Sequence, residues 1–153
     1  GNELKQQRQK LTNKQIMLIG SDVVDIGIVK NDDYQTYLKT MSNRYKNNNT
    51  ELVYYPHRNE NLSANIPLFS KLSIRIIEPN VSIESYLKNQ EEIPSTFVTL
   101  YSTAGFVLPM LFPKTSVKFV KLPEEQYLWN KEEIFEIHNR VESLANAENE
   151  DII

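Results

Sequence analysis

Ile16-Met17-Leu18-Ile19-Gly20-Ser21-Asp22 is the stretch on which the fold turns: four apolar residues in unbroken succession, closed by a turn signal. A strand with one wet face alternates polar and apolar residues, so a run that is apolar at every position suits a strand covered on both faces, as in a parallel sheet. A helical fragment has the same appearance, and the neighbouring segments arbitrate. Asn31-Asp32-Asp33 offers capping side chains ahead of Tyr34, Tyr37, Leu38, Met41 and Tyr45, which recur at helical spacing. Asn47-Asn48-Asn49 ends that helix, and Leu52-Val53-Tyr54-Tyr55 follows as a second strand, stopped at Pro56 where the ladder lacks a donor. The unit is strand, helix, strand.

The alternation continues outward from this unit. Residues 59–67 are loop-like with room for a short helix, and 72–77 form a third, half-alternating strand. A short helix over 82–88 leads to a fourth strand over 96–101, introduced by Pro94-Ser95. An apolar, buried helix over 104–112 is broken or shortened by Pro109, and 117–120 supply a fifth strand. The last helix spans about residues 131–145, with Ile134, Ile137, His138, Val141, Leu144 and Ala145 on one stripe and Glu132 and Glu133 in its first turn. The fold expected is α/β: a Rossmann-like parallel sheet with helices on both faces, over residues 14–146. Residues 1–13 read as a polar lead-in or linker, and 147–153 as a frayed tail.

Composition narrows the partners. The chain has 153 residues, 40% hydrophobic, 24% charged and 10% aromatic, with 4 Gly and 7 Pro, which suits one globular domain and excludes low-complexity and collagen-like chains. A net charge of −3 is a poor match to a surface that must neutralise a row of phosphates, so nucleic acid is not the expected partner. The longest nearly apolar stretch, 104–113, carries two prolines and falls short of the roughly 20 residues of a membrane span. The polar start lacks a signal-peptide core, and the absence of cysteine fits a reducing compartment, so the expected location is cytoplasmic.

Ligands of open parallel sheets bind at the carboxyl ends of strands, which directs attention to the loops that follow them. After the first strand, Gly20-Ser21 allows close backbone approach to a ligand; it also reads as an ordinary turn. After the second, His57 and Arg58 offer donors for a phosphate or carboxylate, with Glu60 placed to orient the ring or pair with Arg58. After the fourth, Ser102-Thr103 precedes a helix, one hydroxyl capping it and the other facing outward, a ready anion site. Glu84, after the third strand, suits ribose hydroxyls, and equally a solvated helix surface. Asp32-Asp33 resembles a metal-binding pair but is better read as a helix cap, and His138, on an apolar stripe, reads as a structural histidine.

The order of these motifs resembles the nucleotide-binding half of bacterial GT-B sialyltransferases, nearest to glycosyltransferase family 52 and related polysialyltransferases. Tyr54-Tyr55-Pro56-His57-Arg58, followed by Glu60, resembles their histidine motif, and Tyr101-Ser102-Thr103-Ala104-Gly105 their serine–threonine motif. Glu84 falls where related enzymes place the carboxylate that holds the ribose. The resemblance implies an inverting, metal-independent transfer from CMP-sialic acid, without other cofactors. In it His57 is catalytic, stabilising the leaving phosphate, and Ser102-Thr103 also hold that phosphate. Glu84 sits on the ribose, and backbone near Gly20-Ser21 lines the site. In the family, proline commonly follows the histidine, whereas here Pro56 precedes His57 and Arg58 follows, giving Arg58 a share of the phosphate contact. The acidic motif that carries the general base is absent, so the resemblance implies a C-terminal donor-binding domain, inactive alone, whose acceptor saccharide is bound by a further N-terminal domain. The full enzyme would build surface saccharides at the inner face of the cell membrane, peripherally. Two other readings stay open: a UDP- or other nucleotide-sugar donor, and a non-catalytic Rossmann-like binding module.

Overall fold

The computed structural model describes residues 9–78 and 80–152. Strands β1 (Lys10–Ile19), β2 (Glu51–Tyr55), β3 (Arg75–Ile76), β4 (Glu92–Thr99), β5 (Ser116–Lys121) and β6 (Ala147–Asp151) form one sheet in the order β3-β2-β1-β4-β5-β6. Every pairing is parallel. Between them run helices α1 (Asn31–Tyr45), α2 (Ile66–Lys71), α3 (Ile83–Lys88), α4 (Ala104–Leu111) and α5 (Lys131–Val141). The protein is therefore α/β and Rossmann-like.

The central run explains itself in this sheet. Met17 and Ile19 enter one core with Val53, Phe97, Leu108 and Phe119, while Leu18 enters the other with Leu38, Leu52, Tyr54 and Val98. Both faces are covered, so every position of the run is apolar. The first core takes α3 and α4, and the second takes α1 and α2, the two-sided arrangement that right-handed crossovers require of this strand order. The order reverses between β1 and β4, whose carboxyl ends splay their loops apart and leave a crevice.

Several boundaries differ from the sequence reading, each for a physical reason. β1 begins at Lys10, inside the expected lead-in, because its polar half needs only a backbone ladder to Glu92, Ile93 and Pro94 of β4. Pro94 enters a central strand, where its missing donor falls at a register shift between Thr12 and Ile16. Six of the expected third-strand residues reduce to two, since α2 runs to Lys71 and Ser73 turns with φ 54°. α4 keeps Pro109 inside it and ends two residues later, but it is not buried all round: Met110 is 73% exposed. α5 stops at Val141 rather than near residue 145.

The tail expected to fray is instead β6, paired in register with β5 from Val117–Ala147 to Lys121–Asp151. Its sequence carries no strand-forming pattern. It is held from outside by Arg44 and Tyr45, which both reach Glu150, by Lys118 on Glu148, and by His138. Its acidic residues suit a sheet edge, where charge discourages pairing with another chain. His138 is 3% exposed and structural: Nδ1–H donates to Asn149 Oδ1 at 2.7 Å, and Asn149 Nδ2 returns a bond to the His138 carbonyl at 2.8 Å.

At the carboxyl edge, the segment after β5 is fastened to the loop after β1. Leu128 N–H donates to Ile28 O (2.7 Å) and Trp129 Nε1–H to Ile26 O (3.1 Å), before Asn130, at φ 63°, turns the chain into α5. Among the described residues no helix is long and apolar enough to cross a membrane.

Candidate functional site

A cleft of about 600 Å³ opens at the carboxyl ends of β1, β2 and β4, within the size range of small-ligand sites. Its lining includes Gly20, His57, Arg58, Glu84, Ser102 and Thr103. These residues come from three strand-end loops and the first turn of α3, far apart in sequence, and the parallel sheet brings them to one end. Ser21 does not line the cleft: it is 2% exposed, and its buried hydroxyl has no hydrogen-bond partner among the described residues.

The turn after β2 is built from within. Pro56 ends the ladder, and Glu60 N–H closes a four-residue turn onto His57 O at 3.0 Å. Asn59 N–H donates to His57 Nδ1 at 3.1 Å, which leaves the ring proton of neutral His57 on Nε2 as a donor. Arg58 is exposed and joins no ion pair among the described residues. The expectation that Glu60 orients the imidazole or pairs with Arg58 is corrected here. Its Oε1 instead accepts the backbone N–H of His57 (3.1 Å), and its Oε2 accepts the Tyr54 hydroxyl (2.5 Å).

Tyr54 in turn shares a short hydrogen bond with Tyr34 of α1, so a buried polar chain runs from the helix to the histidine turn. Burial raises the Glu60 carboxyl to about 7, against the lowering effect of the Tyr54 and His57 hydrogen bonds. Burial likewise holds the Tyr34 and Tyr54 hydroxyls well above their ordinary range, so both stay protonated. Sequence reasoning missed this chain. Its signal was a tyrosine in a run buried on both faces, whose hydroxyl needs a partner, with a carboxylate six residues on.

Gly20 owes its identity to the same network. A Cβ there would overlap Glu60 Oε1 and lie 2.9 Å from both His57 N and Tyr54 Oη. Its N–H meanwhile donates to Tyr55 O at 2.7 Å, joining the exits of β1 and β2. Gly105 plays a comparable part on the other side. A Cβ would sit 2.7 Å from the Phe119 ring, so its absence lets α4 press against the sheet and present its first turn to the cleft.

That first turn departs from the expected cap. Thr103 occupies the N-cap position in αR geometry and makes no side-chain cap bond, whereas Ser102 Oγ accepts Ala104 N–H at 3.2 Å. The Thr103 hydroxyl is thus left facing solvent at the cleft, beside the positive end of the helix. Glu84 is half-buried in the first turn of α3, whose N-cap Ser82 accepts Ser85 N–H at 3.2 Å. Tyr55 Oη donates to Val81 O at 2.7 Å and ties that loop to β2. Burial and the Glu84 charge push the Tyr55 phenol up to about 12.

Asp32 and Asp33 do not cap α1. Lys30 is the N-cap, without a side-chain bond, and the two carboxylates occupy the first turn, where they favour the helix dipole. Among the described residues no group of three or more His, Cys, Asp or Glu side chains converges.

Fold and site together define an α/β protein with a cleft at the reversal point of a parallel sheet. Comparison with family models, curated proteins and solved structures returned no match.

Proposed function

We propose that this chain is the donor-nucleotide-binding domain of an inverting, metal-independent GT-B glycosyltransferase, a sialyltransferase that draws on CMP-sialic acid. The observation carrying the reading is that six of the seven residues assigned to the donor site from sequence line one cleft. His57, whose Nδ1 is taken by Asn59 N–H, donates from Nε2–H to a phosphate oxygen and stabilises the charge that develops as the nucleotide leaves. Arg58 and the first turn of α4, with the Thr103 hydroxyl, add donors for the same group. Glu84, across the cleft, accepts from ribose hydroxyls. The acceptor saccharide and the base that deprotonates it belong, in this reading, to a further domain, and the chemistry needs no metal. The cytidine and sialyl identities rest on the motif resemblance, and the cleft geometry supports the phosphate and ribose roles.

Thermal unfolding with CMP, UMP, inorganic phosphate and no ligand tests the reading. Ligand at 100 times its Kd adds about 2.7 kcal/mol, an upward shift of about 5–11 °C for a domain of this size. A CMP-selective shift that His57→Ala removes is the expected result. Absence of any shift with every nucleotide at millimolar concentration favours a non-catalytic binding module, and a UMP preference favours a UDP-sugar donor.

A further inference from the structure

Glu60 is a half-buried carboxylate at the carboxyl edge, and the phosphate chemistry of the cleft does not use it. It lies directly behind the cleft wall: its two hydrogen-bond donors are the His57 backbone and Tyr54, and it packs on Gly20, with His57 and Gly20 both lining the cleft. The groups facing it are Asp22 and Asp25 from the loop after β1, Tyr34 and Tyr37 from α1, Tyr54 from β2, and the His57 backbone N–H from its own turn, while Arg58 of that turn is exposed and makes no ion pair with it. The two tyrosines nearest it are neutral and the two aspartates are acidic, so a phosphate arriving beside His57 adds negative charge to a carboxylate already desolvated among like charges.

We propose that Glu60 is the proton partner of anion binding: when a phosphate group settles against His57, the Glu60 carboxylate takes one proton from solvent and stays in place. The hydrogen-bond pattern permits this without movement. In the neutral acid the carbonyl oxygen still accepts His57 N–H, and the new O–H donates to the Tyr54 oxygen as the Tyr54–Tyr34 hydrogen bond reverses its donor, a rotation of two hydroxyls with no proton transferred between the tyrosines. The turn keeps its shape and sheds its charge. Glu60 is a positioning residue that also tunes the field of the site, and this role rests on the proposed phosphate site.

Glu60→Gln mimics the protonated form, since its amide oxygen accepts His57 N–H and its amide nitrogen donates to Tyr54. The probe is the methyl ester of CMP, whose phosphodiester does not titrate near neutrality, with sulfate as a second anion. With a one-unit rise of the Glu60 pKa on binding, the variant is expected to bind about fivefold more tightly than the native protein at about pH 8, rising toward tenfold at higher pH. By about pH 6, where native Glu60 is already protonated, the ratio falls to about one. Calorimetry of the native protein in two buffers of different ionisation enthalpy gives the same answer without a mutation: net proton uptake at about pH 8. A Glu60→Gln ratio that does not change with pH, or binding without proton uptake, overturns this inference and leaves the phosphate site standing. Failure of both proteins to bind either anion at any pH overturns the phosphate site and this coupling together.

Discussion

The two ends of the sheet make different use of polar residues. The amino end carries the larger cleft, about 1100 Å³, lined by Lys10, Lys14, Glu51, Arg75, Glu91 and Glu92 among others. Two of those charges, Glu51 and Arg75, neutralise each other. Arg75 Nη2 sits 3.0 Å from Glu51 Oε1 and holds that carboxyl below its ordinary range, and Gln15 joins the same oxygen at 3.2 Å. The carboxyl end has a cleft of about half the volume, yet His57 Nε2–H, the Arg58 guanidinium and the Thr103 hydroxyl are held toward solvent by backbone-anchored turns. Volume marks where a ligand fits, while unspent donors on a rigid frame mark where one is recognised.

The sharpest way to break this contrast is at Gly20. Gly20→Ala places a methyl against Glu60, His57 N and Tyr54, and should cost about 1–3 kcal/mol by overpacking, read by chemical denaturation together with loss of CMP binding. Next in size, Asn149→Ala strips His138 Nδ1 and the His138 carbonyl of their partner. A loss of about 1–3 kcal/mol is expected, and amide exchange should show β6 opening before the other strands. Stability of the native protein should also fall as pH rises from about 4.5 to about 7, because the folded state there binds a proton on Glu60 that the unfolded chain has released. Glu60→Gln should flatten that slope and be more stable than native by roughly 3 kcal/mol at pH 8; an unchanged slope in melting-temperature profiles would refute the assignment. The smallest effect belongs to the amino end. Arg75→Ala breaks an exposed pair and should change stability by about 0–1 kcal/mol, leaving CMP binding as in the native protein.

The same contrast explains what was legible in the sequence. The strand–helix–strand unit from residue 16 to 55 was readable because burial on both faces writes a continuous apolar run, and one-sided burial of α1 writes a helical stripe. Strands that depend on neighbours rather than on their own composition left no such trace. The polar half of β1 and all of β6 are specified by ladders and by distant side chains such as Arg44, Tyr45 and His138. At the site, residues on strand-end loops could be named because parallel sheets direct loops to one edge, and six of seven reached the cleft. What lay behind the cleft could not. Whether Glu60 would face Arg58, the imidazole or the backbone depends on a tyrosine from β2, another from α1 and the missing Cβ of Gly20, none of which is local to the turn.

Trp129 is the only tryptophan of the chain, 49% exposed, with its indole nitrogen bonded to the Ile26 carbonyl. The protein therefore carries a native fluorophore at the joint between the loops that follow β1 and β5. Release of that bond would move the indole fully into water and shift its emission to the red. Unlabelled protein in a cuvette thus reports, by colour alone, whether the two loops stay joined when a ligand arrives.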